Sequence, residues 1–93
     1  MPRKNVEIQS RGINRNSIYF EEFERIAKRL RLRICQLRQE NGLTQEQMQD
    51  FELNLRQFQR IEAGETKNIT LANLFKIAKA FRINLSEMLK AVE

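Results

Sequence analysis

Within residues 54–65, Asn-Leu-Arg-Gln-Phe-Gln-Arg-Ile-Glu-Ala-Gly-Glu, Arg56 and Arg60 stand four positions apart with Gln57 and Gln59 between them. Arginine can donate two parallel hydrogen bonds to guanine O6 and N7, and glutamine can pair with adenine N6 and N7, each contact discriminating by about 1–3 kcal/mol. On a helical wheel advancing about 100° per residue from Phe58, Ile61 falls at about 300° and Glu62 at about 40°. Arg56 and Arg60 fall at about 160° and about 200°, flanked by Gln59 at about 100° and Ala63 at about 140°. One side of such a helix is apolar, and the opposite side is long, polar and positive. Arginine and glutamine are also good helix formers that any solvated face carries. The stretch alone therefore favours an ordinary surface helix over one that reads base edges.

Other chemistry lacks its parts. With no histidine, one cysteine and no carboxylate cluster on a glycine-rich loop, the usual zinc, nucleophile-base and phosphate-loop arrangements cannot be assembled. No enzyme activity, metal or cofactor is expected. Lys plus Arg number 17 against 12 Asp plus Glu, a net charge of +5 that attracts polyanions over a Debye length of roughly 10 Å. The charge is uneven. Residues 1–20 hold Arg3, Lys4, Arg11 and Arg15 against Glu7, a balance of +3, while residues 21–93 hold thirteen basic and eleven acidic side chains, a balance of +2. Cys35 cannot form an internal disulfide, and the chain has neither a signal-peptide apolar region nor the roughly 20-residue apolar run of a membrane span. A cytoplasmic protein with no membrane partner is expected.

Ninety-three residues suit one hydrophobic core. A composition of 41% hydrophobic and 31% charged residues, with three glycines and one proline, predicts an all-α domain. Residues 1–17 show no helical stripe and read as a basic arm, disordered or holding a short strand around Val6 and Ile8; residues 18–93 form the helical domain. Ser17 is the predicted N-cap of a first helix over 18–40, whose stripe is Phe20, Phe23, Ile26, Ala27, Leu30, Ile34 and Leu37. Asn41-Gly42 ends it, and the capping box Thr44–Gln47 opens a short second helix that buries Met48 and Phe51. A second box, Asn54–Gln57, opens a third helix after a tight turn, and Gly64 closes it. Thr70 caps a fourth helix with apolar positions Leu71, Leu74, Phe75, Ala78 and Phe81. Asn84 caps a fifth with Leu85, Met88 and Leu89.

Three segments in this order, Gly-Leu-Thr-Gln-Glu-Gln-Met at 42–48, Arg-Ile-Glu-Ala-Gly at 60–64 and the run from Thr70 to Leu89, resemble the lambda-repressor and Cro-like helix-turn-helix family, often called the XRE family. The resemblance spans about residues 31–89, close to two-thirds of the chain. It implies a compact five-helix DNA-binding domain whose third helix lies in the major groove of double-stranded DNA. Residue by residue, it puts Leu55, Arg56, Gln57, Gln59 and Arg60 at bases or groove margins and Gln45, Lys67 and Asn68 at phosphates. It also pairs Arg38 with Glu62 in a structural ion pair. The implied function is a transcriptional regulator, a repressor acting as a homodimer on a palindromic operator in a bacterium, phage or mobile element.

Two features depart from the family. It usually has a small alanine in helix two and a glycine in the turn, with one more residue between; this chain has Gln49 and Glu52 and is one residue shorter. The local geometry is therefore expected to differ, and Leu55, at about 60° on the wheel, could cap the core rather than meet a thymine methyl.

Elsewhere, Arg25, Lys28, Arg29, Arg31 and Arg33 follow Glu21, Glu22 and Glu24 on the first helix, read as a solvated face or as phosphate contacts. Leu32 and Cys35 lie about 200° and about 140° from Leu30, so partial burial against the bundle or arm is expected, with a second subunit as the alternative. The basic arm could follow DNA or serve only as a solubilising terminus. Two rivals share the fold: an antitoxin that binds a toxin and regulates its own operon, and a protein-interaction module, for instance with transcription machinery, that has lost DNA binding.

Overall fold

A computed structural model describes residues 12–90 and 92–93. Of the expected arm, residues 1–11, with Arg3, Lys4 and Arg11 and the short strand around Val6 and Ile8, lie outside the described residues, whereas residues 12–17 are described and Arg15 is exposed. Among the described residues there are five helical elements and no strand: α1 (Phe20–Glu40), the 3-10 helix η1 (Glu46–Phe51), α2 (Leu55–Ala63), α3 (Leu71–Ala80) and α4 (Leu85–Leu89). They correspond in order to the five predicted helices. None is long and apolar enough to cross a membrane.

The helix ends follow from local chemistry. Thr44 and Gln47 form a reciprocal capping box: the Gln47 amide donates to Thr44 Oγ1 at 3.1 Å and the Thr44 amide to Gln47 Oε1 at 2.8 Å. The side chains of Asn54, Thr70 and Asn84 each accept the backbone N–H three residues on, opening α2, α3 and α4. At the other ends, the chain turns left-handed at Gly42, Gly64 and Arg82, and in each case the next residue's amide reaches back five positions, to Arg38, Arg60 and Ala78.

Three expectations are corrected. The first helix begins at Phe20, not at 18, and Ser17 is not its N-cap: its Oγ accepts the Tyr19 amide at 3.0 Å in a local turn. Ile18 and Tyr19 are exposed, so no burial holds an additional turn. The fourth helix does not bury its whole predicted stripe. Leu71 is 70% exposed and Phe75 50%, whereas Ile77, Ala78 and Phe81 are buried. Phe75 lies about 100° round the helix from Leu74, while Ile77, Ala78 and Phe81 lie within about 60° of it. The Lys79 ammonium covers the Phe75 ring at 5.2 Å from its centroid.

The third correction concerns the second helix, which is 3-10 wound. Its i to i+3 bonds run from the Gln47, Met48 and Glu52 amides to Thr44, Gln45 and Gln49. Three residues per turn stack positions 45, 48 and 51 on one line. Met48 is accordingly buried and Gln45 and Phe51 half-buried, whereas Glu46, Gln47, Gln49, Asp50 and Glu52 are exposed. The glutamine at the expected alanine position thus never enters the packing with α2; its Nε2 turns back to the Glu46 carbonyl. A 3-10 helix also rises about 2.0 Å per residue against about 1.5 Å for an α-helix, so the same residues span a longer axis. The turn itself uses Glu52 at φ 64° in place of glycine, with the Lys76 ammonium on its carbonyl at 3.1 Å.

The core draws on every element. Leu30 and Ile34 of α1, Met48 of η1, Leu53 of the turn, Phe58 and Ile61 of α2, Ile77, Ala78 and Ala80 of α3, Phe81 just after it and Met88 of α4 are buried together, with Val92 closing the end. Each large side chain so buried contributes roughly 1.5–3 kcal/mol. The consequence for α2 is that Phe58 and Ile61 hold its underside against α1 and η1.

Candidate nucleic-acid interface

Helix α2 is divided as the wheel requires. Phe58, Ile61 and Glu62 are buried, while Arg56, Gln57, Gln59, Arg60 and Ala63 are exposed. Leu55, in the first turn, is half-buried, consistent with its position between the two faces. Arg60 has a carboxylate nearby, Glu65 at 3.7 Å, but both side chains are more than half exposed. Such a pair contributes about 0–1 kcal/mol and leaves the guanidinium free to exchange partners. Two arginines and two glutamines therefore project from one face of a helix whose other face is anchored.

The anchor is the Arg38–Glu62 pair, the structural pairing expected from the resemblance. Arg38 Nε donates to Glu62 Oε2 at 2.7 Å and Nη2 to Oε1 at 3.1 Å, while Nη1 donates to the Leu43 carbonyl at 2.8 Å. The hydrogen bond to Glu62 raises the Arg38 pKa above its ordinary value, more than offsetting the lowering by burial. Being bidentate, with Glu62 buried and Arg38 half-buried, this pair differs from an exposed one: loss of Arg38 would strand the Glu62 charge in the core.

Gln45 joins the same carboxylate. Its Nε2 donates to Glu62 Oε1 at 2.7 Å, and its Oε1 stands 3.5 Å from the Gln59 Nε2 on the outer face. A chain of polar contacts thus runs from Arg38 through Glu62 and Gln45 to Gln59. Gln45, expected at a phosphate, commits one amide hydrogen internally and keeps a second. Its link to Glu62 was not read from the sequence, although the spacing of Gln45, Met48 and Phe51 carries the three-residue period that turns all three inward.

The basic residues of α1 separate into two groups. Arg31 Nη1 approaches the Glu62 carbonyl at 3.4 Å and its side chain lies over Gly64, so it caps the C-terminus of α2. Arg33 donates to the Met88 and Glu87 carbonyls, both at 2.9 Å, and does the same for α4. Arg25, Lys28 and Arg29 are exposed. Beyond α2, Lys67 is bonded to Glu24 of α1 at 3.2 Å, and Asn68 is exposed beside it. Leu32 is half exposed; Cys35 is half-buried, with Gln39 Nε2 at 3.8 Å from its sulfur.

The structure therefore brings Arg56, Gln57, Gln59 and Arg60 onto one accessible surface and ties Lys67 to α1, while Gln45 lies at the inner margin of that surface. Comparisons of the chain with protein-family models, curated proteins and solved structures gave no match.

Proposed function

We propose that the protein is a sequence-specific double-stranded DNA-binding regulator of transcription of the lambda-repressor and Cro-like kind. It acts as a homodimer at a palindromic operator in the cytoplasm of a bacterium, or from a phage or mobile element, by occlusion or recruitment and without chemistry of its own. The observation that supports this reading is the exposed Arg56, Gln59 and Arg60 face on a helix fixed from beneath by Phe58, Ile61 and the Arg38–Glu62 pair.

A major groove about 12 Å wide admits an α-helix, and side chains on an anchored helix can meet base edges without first ordering the backbone. In this reading Arg56 and Arg60 take guanine edges, and Leu55, Gln57 and Gln59 lie at bases or groove margins. The second amide hydrogen of Gln45 takes a phosphate, and Lys67 and Asn68 take others. One helix reads few base pairs, so a two-fold pair of half-sites about 34 Å apart supplies the remaining specificity.

Selection of bound sites from a pool of random duplex DNA tests the reading. A palindromic consensus with half-sites one helical turn apart is the expected result; a pool that never enriches would sink it.

A further inference from the structure

We infer that the DNA-contacting surface continues from α2 onto α1, where Arg25 and Lys28 form, together with Lys67, a second track for backbone phosphates. This rests on the DNA-binding reading above. A groove of about 350 Å³ opens between α1 and the chain leaving α2. Arg25, Lys28, Arg31 and Lys67 line it against one carboxylate, Glu24. Positions 25, 28 and 31 recur at three-residue steps, which puts them along one side of α1.

These cations are not equivalent. Arg31 is committed to the end of α2, whereas Arg25 and Lys28 are exposed and have no ion pair with a described residue. Ala27, Ile61 and Ile69 line the same groove, and long cationic side chains beside apolar surface keep their charged heads in water. Ala63 and Gly64, the last residue of α2 and its C-cap, line the groove, so it adjoins the outer face that carries Arg60, with Glu65 beside that arginine. A helix in the major groove is flanked by the phosphates of that groove's wall, and a cationic rim continuous with the helix meets them by charge without requiring a base sequence.

Glu24 has a defined part in this arrangement. Its bond to Lys67 joins two side chains that are 36% and 40% exposed, a pair weak enough to be exchanged for a phosphate. The carboxylate then competes with the incoming anion, and its removal should strengthen DNA binding.

The test is the salt dependence of duplex binding by the full chain and by Arg25→Ala, Lys28→Ala, their double variant and Glu24→Gln. Each alanine should lower the slope of log affinity against log salt by about 1, and so weaken binding about five- to tenfold at 0.1 M salt, without altering the preferred sequence. Glu24→Gln should bind more tightly. Thermal melting should stay unchanged in the alanine variants, since both side chains are exposed. Wild-type binding with an unchanged slope in the double variant overturns this inference alone; absence of wild-type binding overturns the DNA-binding reading as well. An effect of the double variant on polyglutamate but not on duplex would assign the groove to an acidic protein segment and likewise overturn it.

Discussion

Glu62 receives Arg38 through both carboxylate oxygens, at 2.7 and 3.1 Å, with 5% and 13% of the two side chains exposed. Removing Arg38 leaves an uncompensated charge on the buried Glu62, so Arg38→Ala should lower stability by about 3–5 kcal/mol in urea unfolding. Glu62→Ala, which leaves a half-buried guanidinium still bonded to the Leu43 carbonyl, should lower it by less. Replacing both partners with apolar residues of similar size should cost far less than the sum. Equal and additive losses would show that the two residues act separately. Because the folded pKa of Arg38 is raised, its contribution is complete at lower pH and is lost only as pH rises through that value in strongly alkaline solution.

Glu52 holds φ 64° where a glycine would be at ease. A non-glycine residue there costs roughly 1–2 kcal/mol, and a glycine gives back part of that through its freedom in the unfolded chain. Glu52→Gly should therefore stabilise the fold by about 0.5–1 kcal/mol, and its Lys76 contact survives because the acceptor is backbone. The opposite change, Gly64→Ala, should destabilise: φ is 79° and a new Cβ would lie 3.0 Å from Arg31 Nε. Melting curves of the two variants should move in opposite directions.

The 3-10 winding of η1 makes its own prediction. Gln49→Ala should change stability by less than about 0.5 kcal/mol, since the side chain is exposed. Thr44→Ala, which removes half of the capping box, should cost about 1 kcal/mol. A large loss at Gln49 would mean that it is packed between η1 and α2.

Much of this was legible in the sequence because capping chemistry is local. Thr44, Asn54, Thr70 and Asn84 each mark the start of an element, and Gly42 and Gly64 mark ends, whatever the rest of the chain does. The outward set on α2 was legible too, because one helical period fixes it. What escaped were features decided by neighbours. The six residues of η1 wind as 3-10 with Met48 buried, which their capping box does not specify, and the exposure of Leu71 and Phe75 on the margins of α3 depends on which elements reach them. The use of Arg31 and Arg33 as caps on α2 and α4 is a long-range contact that a charge run cannot reveal.

Lys67→Ala should weaken all duplexes nearly equally, because a phosphate contact carries no sequence information. That uniform loss is the reference for the residues assigned to base edges.

The central claim, that α2 reads sequence through its exposed arginines, is tested most directly by measuring affinity for the selected duplex and for a scrambled one, in wild type and in Arg56→Ala/Arg60→Ala. Each arginine should account for about 1–3 kcal/mol of the preference, so the double variant should lose most of the ratio between the two duplexes while keeping its binding to scrambled DNA largely intact. A double variant that keeps the full wild-type ratio would contradict the account.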